Sequence, residues 1–130
     1  MVDEFSLEVT DVNEIPVIRV KGEIDIYTCP QLKDALVTVL DKGKNDLILD
    51  LEQIHYIDST GLGTIAFSAK DLDERKGKLN VVCSKPQVKK IFEISGLSSK
   101  NIQLFDQEES AIDDLLWALR SQLWPNHQQK

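Results

Sequence analysis

The chain has 130 residues, of which 42% are hydrophobic and 28% charged, and its formal net charge is −7 at pH 7. This composition is typical of one globular domain, and no stretch reaches the roughly 20 apolar residues that cross a bilayer. The acidic balance argues against nucleic acid or an anionic membrane as the main partner, because both are held chiefly by basic patches. The first residues lack a signal-peptide pattern, so we expect a cytoplasmic protein without membrane insertion.

The first part of the chain predicts a β-hairpin followed by a helix. Apolar and polar residues alternate over residues 5–9, and residues 15–20 form an apolar run after a polar turn. Thr28 and Pro30 then have a capping-box arrangement in front of residues with helical apolar spacing, and Gly43 is expected to close that helix.

The rest of the chain alternates between predicted strands and helices. Residues 47–51 are apolar at nearly every position, as in a central strand, and a helix is expected from Ser59 to about Gly77. Residues 79–83 predict the next strand, which ends at a buried Cys83, and Pro86 opens a helix that ends near Gly96. A last strand over residues 102–105 precedes a final helix. We therefore expect an α/β fold with a mixed, mostly parallel sheet of four to five strands and about four packed helices.

Two predicted loops should meet at one edge of this sheet. In parallel strands the carboxyl ends share an edge, so the loops expected over residues 22–25 and 55–59 emerge on the same side. Open α/β sheets place ligand and partner sites at this edge. The topology thus predicts that Asp25 and Ser59 are neighbours on one surface.

The segment from Asp58 to Gly63, Asp-Ser-Thr-Gly-Leu-Gly, places two hydroxyls where a strand passes into a helix. One interpretation is structural, since a hydroxyl or carboxylate here caps the helix by accepting from its first amides. The other is functional, since a phosphate at this position would meet the positive helix end and unpaired N–H donors. The two interpretations are compatible.

Four segments carry a family resemblance. They are Gly-Glu-Ile-Asp at residues 22–25 with the following Tyr27 and Thr28, the strand at 47–51, the segment at 56–63, and residues 88–92 leading to 95–97. In order and spacing the chain resembles a bacterial anti-sigma factor antagonist, a small stand-alone STAS domain. The resemblance covers about residues 5–115, and we expect the domain at 1–116 with a helix end and polar tail at 117–130.

The resemblance implies that Ser59 is a phosphorylation site. Unphosphorylated protein would bind an anti-sigma factor that is also its serine kinase, which frees the sigma factor, and phosphorylation would end this binding until a metal-dependent serine phosphatase restores it. The partner-binding residues expected on this basis are Asp25, Asp58, Ser59, Thr60, Gly61, Leu62 and Gly63. From the residue types alone, Asp25 could equally serve as a turn carboxylate and Asp58 as a local cap.

Enzymatic functions are disfavoured because the chain has neither a P-loop nor a Gly-x-Ser-x-Gly elbow. His55 has no histidine or cysteine at ligand spacing, so no metal or cofactor is expected. The alternative function is a stand-alone STAS subunit of a membrane transporter or stress-signalling assembly in which Ser59 is structural. In the last helix, Trp117 and Trp124 fall opposite the apolar stripe, which suggests a homodimer contact or a contact with a partner protein.

Overall fold

The computed structural model describes residues 4–97 and 101–123, with side chains as far as Ala118. An opening hairpin is followed by alternating helices and strands. The strands are β1 (Ser6–Val12), β2 (Ile15–Ile24), β3 (Leu47–Ile57), β4 (Leu79–Val82) and β5 (Ile102–Phe105). The helices are α1 (Cys29–Asp41), α2 (Ser59–Glu74), α3 (Pro86–Ser95) and α4 (Glu108–Leu123).

The strands form one sheet in the order β1-β2-β3-β4-β5. β1 is antiparallel to β2, and the pairs β2–β3, β3–β4 and β4–β5 are parallel. The three helices that connect the parallel strands pack on one face of the sheet, as crossovers of a single hand require, and α4 packs on the other face. The predicted mixed, mostly parallel sheet with four helices is confirmed.

Each face of the sheet has its own apolar cluster. Under α1, α2 and α3 the cluster is large, and it includes Leu36, Ile65 and Phe92, which have no exposed surface, and the buried thiol of Cys83, as expected. The cluster under α4 is smaller and consists of Ile15, Val17, Ile48, Val82, Ala111, Ile112 and Leu115. Burial of the sheet on both faces explains why residues 47–49 are all apolar and buried.

β2 and β3 are longer than the sequence predicted. Residues 22–24 and 55–57, which we expected in loops, belong to these strands, and Ile24 pairs with Ile57. The register between the two strands shifts between Arg19 and Lys21 and again between Gly22 and Glu23. These irregularities break the alternation of buried and exposed residues that identifies a strand in a sequence.

α4 continues through the predicted boundary between residues 116 and 117. Trp117 is 62% exposed on this helix, in agreement with its position opposite the apolar stripe, whereas Trp124 lies outside the described residues. The predicted homodimer contact therefore stays a prediction. Among the helices described in residues 4–97 and 101–123, none has the length and apolar character needed to cross a membrane.

Candidate functional site

The carboxyl ends of β2 and β3 lie side by side at one edge of the sheet. Ile24 and Ile57 are paired, and the Asp58 amide donates to the Ile24 carbonyl at 3.1 Å. The loop after β2 and the first turn of α2 therefore emerge together, as the parallel topology predicted. This edge brings the two segments that contain Asp25 and Ser59 to the same surface.

Asp58 caps α2. Its backbone is extended, and its Oδ1 accepts a hydrogen bond from the Gly61 amide at 3.0 Å. The Asp58 carbonyl accepts from the Leu62 amide, also at 3.0 Å, which begins the helical ladder. A cap of this kind contributes about 1 kcal/mol. The cap expected at or beside Ser59 is thus supplied by the carboxylate that precedes it.

Ser59 is the first residue of α2, and it is exposed. Within the described part of the chain, its hydroxyl makes no hydrogen bond to another residue. Because Asp58 supplies the cap, the helix does not need the serine hydroxyl. The oxygen is therefore accessible to a modifying enzyme, and it lies next to the amides of a helix N-terminus.

Asp25 and Thr28 hold the loop between β2 and α1. Asp25 Oδ1 accepts from the amides of Tyr27 at 2.9 Å and Thr28 at 3.0 Å. The Thr28 hydroxyl donates to the Glu23 carbonyl at 2.7 Å and accepts from the Asp25 amide at 2.9 Å. The predicted capping role of Thr28 is wrong, because this hydroxyl bonds back to the end of β2 and makes no cap to α1.

This loop presents two large apolar side chains to solvent. Ile26 is 62% exposed and Tyr27 is 86% exposed. Exposed apolar residues in a loop that is fixed by internal hydrogen bonds are typical of a protein contact surface. Ile26 was not predicted as a site residue. The signal that could have identified it is an apolar pair between Asp25 and Thr28, where a polar turn is expected.

The remaining predicted site residues divide by burial. Thr60 and Gly63 are exposed, Leu62 is half-buried against the larger core, and Gly61 is buried. Without a rearrangement of the protein, a partner can contact the exposed members of this group or the backbone of the segment. The structure thus brings all seven predicted residues to one edge of the sheet, but it presents Ser59, Thr60 and Gly63 most openly.

A groove runs between α1 and α2 beside this segment. It has a volume of about 350 Å³, and Thr60, Gly63, Val37, Leu40 and Phe67 are among its lining residues. Phe67 is 69% exposed although it is large and apolar. The groove was not predicted from the sequence, although Phe67 lies outside the apolar stripe of the predicted helix and could have indicated it.

Metal-ligating side chains do not gather at this edge. In residues 4–97 and 101–123, no group of three or more His, Cys, Asp and Glu side chains is placed to hold a metal ion. Cys29, at the start of α1, is buried, and its Sγ lies 2.9 Å from Thr64 Oγ1. The site consists of a hydroxyl, helix amides and apolar surface, which suits recognition by another protein.

An exposed hydroxyl, an apolar loop and a groove on one edge of an α/β sheet are features typical of a binding module. The STAS domain family matches residues 6–111, and the chain belongs to this family. The resemblance drawn from the four sequence segments is confirmed.

Relatives of known role come from several bacteria. The anti-sigma-B factor antagonist of Staphylococcus aureus (strain NCTC 8325 / PS 47) is 33% identical over 93 residues, which cover 72% of this chain and 86% of that protein. The crystal structure of an anti-sigma factor antagonist from Mycobacterium paratuberculosis has a TM-score of 0.78 and 27% identity, and covers 85% of this chain and 93% of that one. The Bacillus cell fate determinant SpoIIAA in its phosphorylated form has a TM-score of 0.66 and 28% identity, over 86% of this chain and 99% of that one.

Proposed function

We propose that this protein is an anti-sigma factor antagonist controlled by phosphorylation of Ser59. The unphosphorylated form binds an anti-sigma factor with serine kinase activity and so releases the sigma factor for transcription in the cytoplasm. Phosphorylation by that kinase ends the binding, and a metal-dependent serine phosphatase restores it. The names of the S. aureus and M. paratuberculosis relatives support the antagonist role, and the solved phosphorylated form of SpoIIAA supports control by a phosphate.

The proposal depends on two properties of Ser59, its exposure and the hydrogen bonding of its hydroxyl. It is exposed at the first residue of α2, and the neighbouring Asp58 already caps the helix. A serine whose hydroxyl is a cap would lose a structural hydrogen bond on modification. Ser59 has no such bond within the described residues, so a kinase can modify it without opposing the fold.

Two mechanisms could link a phosphate on Ser59 to loss of binding. A phosphate adds about −1.5 to −2 charges, and at a helix N-terminus it is favourable by about 0.3–2 kcal/mol, so it gives no drive to reshape the fold. Inside a fitted interface the same group adds bulk, desolvation and charge repulsion of several kcal/mol, which lowers affinity at least about a hundredfold. Because the penalty inside an interface exceeds any effect on the fold, obstruction of the interface is the favoured explanation for the loss of binding.

The proposed interface combines the exposed part of the α2 segment with the loop after β2. Ser59, Thr60 and Gly63 supply the polar and backbone surface, while Ile26 and Tyr27 supply apolar anchors. In this arrangement Asp25 and Asp58 act mainly by holding their segments in place. Gly61 and Leu62 act through the shape of the first turn, since Gly61 is buried and Leu62 is half-buried.

A phosphorylation assay with matched variants tests the proposal. We expect wild type and Thr60→Ala, incubated with ATP and the purified anti-sigma factor kinase of the same organism, to gain one phosphate at Ser59 by mass spectrometry. Ser59→Ala should gain none and should bind the kinase as tightly as wild type by calorimetry. Ser59→Asp should bind about a hundredfold more weakly.

The reverse reaction completes the test. A metal-dependent serine phosphatase should restore binding of the phosphorylated protein, and EDTA should prevent this. A phosphate on Thr60, or equal affinities of wild type and Ser59→Asp, would contradict the proposal. Retention of a transport ATPase in place of a sigma-regulating kinase in a pull-down would favour the alternative of a transporter subunit.

Self-association through Trp117 and Trp124 forms the second part of the proposal. Trp117 supports it because a large aromatic side chain that is 62% exposed is a frequent interface residue. Sedimentation equilibrium should show a concentration-dependent dimer for wild type that Trp117→Ala weakens. A wild type that stays monomeric at every concentration would rule this contact out.

A further inference from the structure

Two glycines of α2, Gly61 and Gly63, lie in different surroundings. A Cβ atom on Gly61 would come within 2.5 Å of Ile24 Cγ2 and 2.9 Å of Ile57 Cγ1, so this glycine is required where α2 approaches β2 and β3. A Cβ atom on Gly63 would meet nothing within 4 Å. Glycine is less favourable than alanine inside a helix, and no contact within the described residues accounts for it at position 63.

Gly63 lines the groove between α1 and α2. The groove has a volume of about 350 Å³, and Val37 and Phe67 stand on its walls. Both side chains are exposed, Phe67 to 69%. A side chain at position 63 would project into this space, so the glycine keeps the groove open to an occupant from outside the chain.

The groove is continuous with the surface proposed to bind the partner. Thr60 lines the groove and directly follows Ser59. A second hollow, with a volume of about 480 Å³, adjoins it through Lys33, Thr60 and Thr64 and extends to Ile26 in the loop after β2. The apolar loop, the phosphorylation segment and the groove therefore form one connected surface.

The charge around the groove indicates the chemistry of its occupant. Asp41 lines the groove, and in the described part of the chain no ion pair involves it. Asp71 also lines the groove and accepts from Arg75 at 3.2 Å, and Lys33 lines it as well, so the lining carries charges of both signs. An occupant that matches the apolar walls and Asp41 has an apolar side chain and a basic neighbour that faces Asp41 and avoids Lys33.

We propose that this groove receives an amphipathic helix of the anti-sigma factor. An apolar side chain of that helix packs on the Gly63 backbone between Val37 and Phe67, and a lysine or arginine of the same helix faces Asp41. This is the helix-in-groove mode of recognition, in which glycine allows the close approach of two helices. The inference rests on the proposed function and extends its interface from Ser59 along α2.

Substitutions at Gly63 separate a binding role from a structural role. We expect Gly63→Ala to raise the melting temperature by about 3 °C, because alanine favours the helix, and to weaken binding of the purified anti-sigma factor kinase about tenfold in calorimetry. Gly63→Leu fills the groove and should weaken binding about a hundredfold. A residue with only a structural role would not change stability and affinity in opposite directions.

Two exposed apolar residues provide a matched pair of controls. Phe67→Ala should weaken binding about tenfold, because it removes a groove wall. Ile94→Ala should bind as wild type, because Ile94 is 76% exposed on α3, away from the groove. Asp41→Asn should weaken binding more at low salt than at high salt, since charge attraction is screened by salt.

The outcomes distinguish this inference from the function on which it rests. If Gly63→Leu and Phe67→Ala bind as wild type while Ser59→Asp fails to bind, the groove is not part of the interface and the proposed function stands. If wild type itself does not bind the anti-sigma factor, both are overturned. Weakened binding by both groove variants, with Ile94→Ala unchanged, supports the inference.

Discussion

The two faces of the sheet are joined to their helices by different kinds of contact. The face under α1, α2 and α3 is closed mainly by apolar side chains such as Leu36 and Phe92, which have no exposed surface. The face under α4 has a smaller apolar cluster and is held in addition by charged groups. Arg19 donates to both carboxylate oxygens of Glu108, at 2.6 and 2.9 Å.

Further polar contacts secure the middle of α4. Lys78 Nζ lies 2.7 Å from Asp114 Oδ2, and the buried Asn80 side chain donates to the Ala111 carbonyl at 2.9 Å. Charges and protons should therefore act mainly on the α4 face. The face under α1, α2 and α3 depends mainly on the burial of apolar side chains.

Matched leucine truncations test this contrast and should give the largest effects. Leu36 and Leu115 are both essentially fully buried, one in each cluster. We expect Leu36→Ala to lower the free energy of unfolding by about 4 kcal/mol and Leu115→Ala by about 2.5 kcal/mol. The second loss is smaller because one helix, α4, covers the smaller cluster and can shift to fill the cavity. Urea denaturation followed by circular dichroism measures both. An equal or larger loss for Leu115→Ala would break the comparison.

Removal of the Arg19 guanidinium tests the polar side of the contrast. Arg19→Met keeps most of the stem but leaves Glu108 without its bidentate donor. We expect a loss of about 1–2 kcal/mol in the free energy of unfolding, because the pair is partly buried. Lys89→Met is the control: Lys89 pairs with Asp106, whose side chain is 70% exposed, so the change should be below about 0.5 kcal/mol. Similar losses for both variants would show that the partial burial of the Glu108 carboxylate is unimportant.

The carboxyl pair Asp50 and Glu108 predicts how stability depends on pH. Burial, followed by a hydrogen bond with Glu108, raises the pKa of Asp50 to about 7. The hydrogen bond from Arg19, followed by that with Asp50, lowers the pKa of Glu108 to about 2. Below about pH 7 the proton of the pair therefore resides on Asp50, while Glu108 stays ionised beside Arg19.

The sign of the pH effect follows from the raised pKa of Asp50. Between its ordinary pKa near 4 and about 7, the folded protein binds a proton that the unfolded chain does not, so stability falls as the pH rises through this range. Glu108 acts in the opposite sense only in acid, as the pH falls from about 4.5 towards 2. We expect a loss of roughly 1 kcal/mol between pH 5 and 8, after allowance for the partial exposure of Asp50.

Asp50→Asn is the control for this titration, because the amide side chain has nearly the same shape as the carboxyl group but does not titrate. Denaturation of this variant at pH 5 and pH 8 should show a smaller change in stability than wild type shows. Ser59→Ala should keep the full dependence of stability on pH that wild type shows. Ser59 belongs to α2, which packs on the face of the sheet opposite to α4. Stability that rises for wild type from pH 5 to 8 would contradict the assigned proton.

The sequence predicted the strands and helices well where apolar spacing is regular. Residues 47–51 were identified because they are apolar at nearly every position, and the helix after Ser59 because its buried residues recur at helical spacing. The end of β3 was missed because the register shifts against β2 leave His55 and Tyr56 exposed within a strand. The cap was placed only to within one residue because Asp58 and Ser59 are both good capping residues, and only the backbone geometry selects Asp58.

The contacts that distinguish the two faces were beyond prediction from one sequence. Arg19 and Glu108 are 89 positions apart, and nothing in their local patterns links them. Likewise, the groove depends on how α1 packs against α2, which sets the distance between Val37 and Phe67. Local patterns predict elements, whereas surfaces assembled from two elements require the packed fold.

The smallest expected effect on stability is that of Ser59→Asp, and its small size is informative. A carboxylate at the first residue of α2 meets the positive end of the helix, so we expect a gain of about 0.3–1 kcal/mol relative to Ser59→Ala, less at high salt. Urea denaturation at two salt concentrations measures this difference. A protein that is equally or more stable, yet no longer binds its partner, has lost binding through obstruction of the interface. A destabilisation of several kcal/mol would instead mean that charge at Ser59 acts by disturbing the fold.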